Sequence, residues 1–422
     1  MSSAGVLALP AAMETNAPSP PSANRDAEGF LLRLARVLHL YGGAVHQIED
    51  GLATAAAKLG VRAQFSATPT SIMASLGPEE HERTLMLRLE PGENDLGRFT
   101  EVVEVARAVM RGTLSPAEGT ARLVAIELTP PPYSDIVTVL AFAVSSTSAA
   151  RFLGGGPSEV GVASAIGLVT GVLAMLARRS AAVRRLFEPL AAFLASALAA
   201  LATHAVGPMS VYLATLAGII ILIPGLTFTV AVTELSNRHL VAGTARLFGA
   251  FTSFVVIAVC VAIGSAVAHA LLGTVPTAAP RPLPEATLFV ALLAAPLAFT
   301  VLLKARPRDG FWILVACALG FAGSRLGSRM LGPELGVFVG ALVVGLCGSA
   351  YWHLLRRPPA VLRVPGILLL VPGSVGFRGI TALLDAQVVP GVETAFKMIT
   401  MATALAAGLL VASVVAPTRF GR

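Results

Sequence analysis

The spacing of apolar and polar positions divides the chain near residue 130. Before that point apolar residues recur three and four apart: Leu31, Leu34, Leu38, Tyr41, Val45, Ile48, Leu52, Ala55 and Leu59. That stripe predicts one long amphipathic helix from Phe30 to Leu59, ended by Gly60. Val61–Leu76 and Arg83–Glu90 read as strands, with a turn at Gly77-Pro78. Helices are expected near Leu96–Met110 and Pro116–Ile126, and Pro130-Pro131-Pro132 reads as a stiff linker. Residues 28–130 are thus expected to be a small soluble α+β domain. Residues 1–27, rich in Ala, Ser, Pro and Asn, read as a disordered start.

From Asp135 onward the pattern changes to long apolar runs. A hydrocarbon core of about 30 Å needs roughly 20 apolar residues per helix. Ten spans are expected, near 135–153, 158–177, 188–206, 208–223, 244–271, 286–304, 310–328, 334–355, 360–376 and 391–416. One segment occurs twice, 148 residues apart. Gly218–Phe248 and Gly366–Phe396 are identical at 10 of 31 positions without a gap, including Pro224/Pro372 and Gly225/Gly373. The offset carries the first five spans onto the second five. Five is odd, so the halves, 134–272 and 284–416, must run in opposite senses, which is an inverted-topology repeat. The expected fold class is a polytopic α-helical membrane protein built as a 5+5 inverted repeat behind a small α+β domain.

Composition supports this. Apolar residues make up 55% and charged residues 13%, against about 25% charged in an average soluble domain. The net charge of +7 is no nucleic-acid signal, because the arginines fall in short loops between apolar runs and there are only three lysines. Placing the α+β domain inside gives fourteen Lys/Arg to the inner loops and C-terminus and five to the outer loops. The expected location is therefore the inner (cell) membrane, multi-pass, with both termini cytoplasmic. No basic-then-apolar leader is evident. Cys260, Cys317 and Cys347 lie in apolar runs without pairing or metal spacing. No metal site, cofactor or enzyme activity is expected.

The candidate chemistry centres on the two Pro-Gly breaks. Proline removes a helical N–H and clashes with the preceding turn, and backbone groups freed in a membrane need partners. An amino acid fits such a place, its carboxylate on N–H groups and its ammonium on carbonyls. A simple kink is the plainer alternative. After the breaks come Thr227, Thr229, Thr233, Glu234 and Asn237 in one half, and Ser374, Arg378, Thr381 and Asp385 in the other. Glu234 or Asp385 could carry a coupling proton, unless both are merely solvated at an interface. Glu393 and Lys397 have i,i+4 spacing; Lys397 could neutralise Glu393 or Asp385, bind a substrate carboxylate, or snorkel. Ser145-Ser146-Thr147-Ser148 could line a polar path or bond back to its own helix. In the N-terminal region His39, His46 and Asp50 fall on one face of the expected helix, with Glu49 at the edge of its apolar stripe. This could be an acid–base or metal cluster, or the polar flank of an ordinary helix. Pro69 and Thr70, within Thr68-Pro69-Thr70-Ser71, could form a binding loop or a bent strand edge.

Tyr41–Val61 (YGGAVHQIEDGLATAAAKLGV), Ser66–Ser75 (SATPTSIMAS) and the paired Pro-Gly segments together resemble the threonine/serine exporter family, over residues 28–416. The resemblance implies a cytoplasmic N-terminal domain, ten helices in one fused chain, and efflux of threonine and serine driven by the proton motive force. Protons, the small-molecule substrate and the lipid bilayer are the implied partners, and a homo-oligomer is admissible. Split relatives are associated with dicarboxylate export; that alternative shifts weight to Arg378 and Lys397. A membrane-tethered hydrolase using His39, His46, Glu49 and Asp50 is the rival from another class, and no nucleophile–base pair supports it.

Overall fold

The fold is that of a computed structural model, which describes residues 22–90 and 92–418. The N-terminal part holds α1 (Ser22–Leu40), α2 (Val45–Leu59), β1 (Ala63–Thr68), β2 (Ser71–Leu76), β3 (Arg83–Arg88), α3 (Leu96–Met110) and α4 (Pro116–Leu128). Three expectations need correction. The stripe expected to be one helix is two, because the chain turns at Gly42-Gly43. Gly42 has φ +89°, and a Cβ on Gly43 would lie 2.9 Å from Ile48 and 3.0 Å from the Leu38 carbonyl. Periodicity passes through this break because both helices pack their apolar faces into one core. The strand expected over Val61–Leu76 is a hairpin that turns at Pro69-Thr70, with Thr68 opposite Ser71. Residues 22–27 begin α1 rather than lying in a disordered start; the rest of that expectation, residues 1–21, lies outside the described residues.

The sheet is antiparallel in the order β1-β2-β3. Ile72, Ala74 and Leu76 of β2 point into a core with Phe30, Leu31, Leu34, Leu38, Ile48, Leu52 and Leu123. The start of α4 is fixed by a capping box. Ser115 accepts from the Glu118 N–H, and Glu118 accepts from the Ser115 N–H, with Pro116 at the first helical position.

Two sets of helices follow. The first is α5 (Asp135–Phe152), α6 (Pro157–Arg179), α7 (Ala181–Val206), α8 (Val211–Gly218), α9 (Gly225–Ser236) and α10 (Leu240–Leu272). The second is α11 (Ala286–Leu302), α12 (Gly310–Leu331), α13 (Pro333–Leu355), α14 (Ala360–Leu370), α15 (Gly373–Leu384) and α16 (Val388–Val415). Among the described residues, eight helical stretches are long and apolar enough to cross a membrane. The pair α8 and α9, bent by 57°, would make a ninth, and α11 is apolar but only 17 residues long. This is a polytopic helical membrane protein.

The pairing of helices is the same in both sets. In the first, α6 packs on α5, α7 and α8, while α10 packs on α7 and α9; in the second, α12 packs on α11, α13 and α14, while α16 packs on α13 and α15. Between the sets α5 meets α11 and α9 meets α15, and the contact of α9 with α16 is matched by that of α10 with α15. Even the strained backbone repeats: Arg238 (φ 65°) and Ala386 (φ 59°) are 148 residues apart.

The N-terminal part sits on the Arg-bearing loops. Lys304 pairs with Glu93 at 2.5 Å, and Arg306 makes two bonds to Glu104 at 2.8 and 3.0 Å. The Arg107 guanidinium lies 3.7 Å from the centre of the Trp352 ring and donates to the Arg356 carbonyl.

Candidate functional site

Each break follows from its proline. The residue before a proline is pushed out of the helical region. Ile223 (φ −68°, ψ 122°) and Val371 (φ −63°, ψ 134°) are accordingly extended, and α9 and α15 restart at Gly225 and Gly373. The two restarts touch each other. A Cβ on Gly225 would lie 2.8 Å from the Gly373 Cα and 2.2 Å from Val371, while one on Gly373 would lie 3.3 Å from the Gly225 Cα. At Gly225 only glycine permits this approach.

A cavity of about 130 Å³ opens beside the contact, walled by apolar side chains and three hydroxyls, Ser145, Ser148 and Ser374. The start of α15 lines it through Gly373 and Ser374, and the start of α9 through Leu226. The first turn of a helix has N–H groups without intrahelical partners and carries partial positive charge. Leu226 also borders a second cavity, of about 290 Å³, lined by Thr227, Thr229, Thr233, Asn237, Arg246 and His46. That space in turn shares Gly43, Gln47, Phe99, Ala360 and Arg363 with a third, of about 630 Å³, under α2. The three form a series from the N-terminal part to the breaks.

Glu234 stands behind the middle cavity and holds Arg246, which lines that cavity. It is fully buried. Its Oε1 accepts from the Val45 backbone N–H at 3.2 Å, and its Oε2 lies 3.1 Å from Arg246 Nε. Val45 opens α2, whose N-cap residue Ala44 supplies no side-chain cap, so Glu234 serves that helix start from another part of the chain. Beside it, His239 Nδ1 lies 3.4 Å from Glu49, whose other oxygen accepts from the Ala67 N–H at 2.7 Å. The His46 and His239 rings are 6.1 Å apart. Burial pulls the His46 imidazole down to about 4; His239 and Arg363 act in the same sense and Asp50 opposes.

The structure thus joins two groups that the sequence presents separately: Glu234 and Asn237 with His46 and Glu49. His239 and Arg246 complete the cluster and were missed. Arg246 carried a signal, since it lies in an apolar span with no acidic residue on its own helix. The expected His39–His46–Asp50 face does not form. The turn at Gly42 places His39 on α1, where its Nε2 meets the Pro69 carbonyl at 3.0 Å; burial lowers its pKa as well. Thr70 is exposed in the hairpin turn.

The second break lacks such a cover. Arg378 and Asp385 are exposed, and Thr381 bonds back to the Phe377 carbonyl. Lys397 pairs with Glu393 at 2.7 Å, both largely exposed, and reaches neither Asp385 nor a cavity described above. In the serine run, Ser146 donates to the Gly218 carbonyl at 3.1 Å and Ser148 to Val144 of its own helix. Among the described residues no group of three His, Cys, Asp or Glu is placed to hold a metal.

A helical membrane protein with paired broken helices beside internal cavities belongs, as a class, with membrane transporters. Comparison with known families is more specific. Residues 29–268 match the family model described as "Putative threonine/serine exporter", and residues 287–415 match that described as "Threonine/Serine exporter". The chain belongs to the threonine/serine exporter family. Among curated proteins it is similar to an uncharacterized protein of Schizosaccharomyces pombe, 25% identical over 83% of this chain and 48% of the relative. It is also similar to pheromone-regulated membrane protein 10 of Debaryomyces hansenii (24% identical; 87% of this chain, 37% of the relative) and of Eremothecium gossypii (23%; 85% and 49%). The chain spans half or less of the length of these relatives. No solved structure matches it.

Proposed function

We propose that the chain is a secondary exporter of threonine and serine, driven by inward proton flow. The observation that carries this reading is the contact of Gly225 with Gly373 beside a small hydroxyl-lined cavity at the starts of α9 and α15. Helix starts favour negative charge, so they suit the carboxylate of an amino acid, while Ser145, Ser148 and Ser374 suit its polar remainder. Broken helices with this role are the usual construction of transporter sites at the membrane midplane.

In this reading the chain has ten spans in two inverted sets of five, with α8–α9 and α14–α15 as the broken members. The matching helix contacts and the 148-residue offset support it. Residues 28–130 form a cytoplasmic α+β domain, and the membrane is the cell's inner membrane. Support comes from the basic loops, which gather on the face where that domain sits. Substrate enters through the cavity series, and Leu226 separates the last two compartments. Glu234 takes the coupling proton. As a carboxylate it holds Arg246 and the start of α2; protonated, it releases Arg246 and loosens the cover over the middle cavity. Asp385, exposed and without such partners, is not needed for this step.

The test is efflux of labelled threonine, serine and succinate from cells that express the chain, with and without a protonophore. Protonophore-sensitive efflux of threonine or serine is the expected result. Efflux of succinate alone would replace the amino acid by a dicarboxylate, and loss of none of the three would sink the exporter reading.

A further inference from the structure

The cavity of about 630 Å³ lies between α2 and the α13–α14 connection, and the contact at the breaks leaves the charges on its walls unexplained. Gln47, Asp50, Thr54 and Lys58 line it from α2. Their spacing of three and four puts them on one helix face, so a polar face of α2 is turned toward the membrane helices. Trp352 and Arg363 stand on the other wall.

The charges on the two walls are unmatched. Among the described residues the Asp50 carboxylate has no hydrogen bond and no ion pair within 4.0 Å. Arg363 donates to Ser349 Oγ at 3.0 Å and to the Gly345 carbonyl at 3.4 Å, meets no carboxylate, and keeps a buried Nε without a partner. A guanidinium held away from water without a counter-ion favours an incoming anion, and guanidinium matches a carboxylate in geometry. Asp50 favours an incoming cation.

We propose that this cleft, the member of the cavity series farthest from the breaks, is a binding site for a free α-amino acid in its own right, with Asp50 on the ammonium group and Arg363 on the carboxylate. The choice of amino acid as ligand rests on the exporter reading above. A dicarboxylate of amino-acid length would bring its second carboxylate against Asp50 rather than against Lys58, about two turns further along α2, and an amine would leave Arg363 unmatched. Both charges are needed, so Asp50 makes the N-terminal part a determinant of selectivity.

The chain supplies its own reporter. It has two tryptophans, Trp312 and Trp352, and Trp352 lines the cleft. In the purified full chain carrying Trp312→Phe, emission from Trp352 is followed during titration with L-threonine and with succinate. A saturable response to threonine, absent with succinate and weakened about tenfold or more by Asp50→Asn, is expected. Asp50 is exposed on its helix, so this change leaves the fold intact; Arg363→Lys is the companion variant and weakens threonine in the same way. An Asp50→Asn titration that matches the parent, or succinate binding as well as threonine, overturns the proposal. Threonine efflux from vesicles of the same preparation separates the two claims. Efflux without any Trp352 response removes this site and leaves the exporter standing. A saturable response without efflux keeps the site and removes the exporter.

Discussion

The two broken segments share a backbone and differ in everything that surrounds their ends. Gly225–Ser236 and Gly373–Leu384 begin and end 148 residues apart, and the helices after them begin 148 apart as well. Yet α9 ends in a cluster of the buried Glu234 with the half-buried His239, Arg246 and Glu49, while α15 ends at an exposed Asp385. At the position equivalent to Glu234 the second segment has Ala382, and at that of Arg246 it has Thr394. The scaffold is alike in the two segments. The difference comes from the N-terminal part, which covers one segment's end and not the other's. A buried carboxylate is tolerable only where a cation and a donor meet it, and α2 supplies the donor on one side alone.

Four changes test how deep this asymmetry goes. The largest effect is expected from Glu234→Gln against Asp385→Asn. The first leaves Arg246 without its counter-charge, and breaking a buried pair costs roughly 3–5 kcal/mol; because Arg246 keeps 22% of its side chain exposed, about 3 kcal/mol is expected, with loss of proton-driven efflux. Asp385→Asn should change stability by less than about 0.5 kcal/mol and leave efflux intact. Equal effects in melting and transport would remove the asymmetry.

Next comes the contact at the centre. Gly225→Ala brings a methyl to 2.2 Å from Val371 and 2.8 Å from the Gly373 backbone, whereas Gly373→Ala meets only the flexible Ile223 side chain at 3.0 Å and backbone at 3.3 Å. Overpacking typically costs about 1–3 kcal/mol. Gly225→Ala should fall in that range and abolish efflux, with Gly373→Ala well below it. The reverse order in detergent melting curves would contradict the geometry.

The third is pH. His46 titrates near 6.5 in an unfolded chain and at about 4 in place, so the folded state binds fewer protons. Stability from this group is full above pH 6.5 and falls as pH drops toward 4. Between pH 7 and 5 the loss is about 2 kcal/mol. His39, also lowered, adds in the same direction. His46→Gln should flatten the pH dependence of melting; an unchanged slope would show that His46 is not its source. The smallest effect belongs to Lys397→Gln, which removes an exposed pair with Glu393. Neither melting nor threonine efflux should move, and a loss of efflux would return Lys397 to the substrate path.

What the sequence revealed was local. A Pro-Gly in an apolar run announces a break wherever it occurs, and an exact offset needs only counting, so Pro224 and Pro372 were legible. The turn between α1 and α2 was not, because the apolar stripe keeps its period across Gly42-Gly43. The hairpin at Pro69-Thr70 was marked only by its proline, which a bent edge strand also tolerates, and a turn this tight leaves no polar gap between Ala63–Thr68 and Ser71–Leu76. The cluster at Glu234 was beyond reach. Its partners come from four stretches of chain, and no spacing rule relates Val45 to Glu234 or Glu49 to His239.

One bond ties the start of α2 to a residue far along the chain. The start of α2 is made early in synthesis, but the carboxylate that completes it follows 189 residues later. Without α9 the helix has an open first turn, so an N-terminal part made alone is expected to fray there. Amide exchange at Val45 should be fast in a chain cut after Pro132 and slow in the full chain. The first turn of α2 is thereby a built-in reporter of whether the two parts of the chain have met.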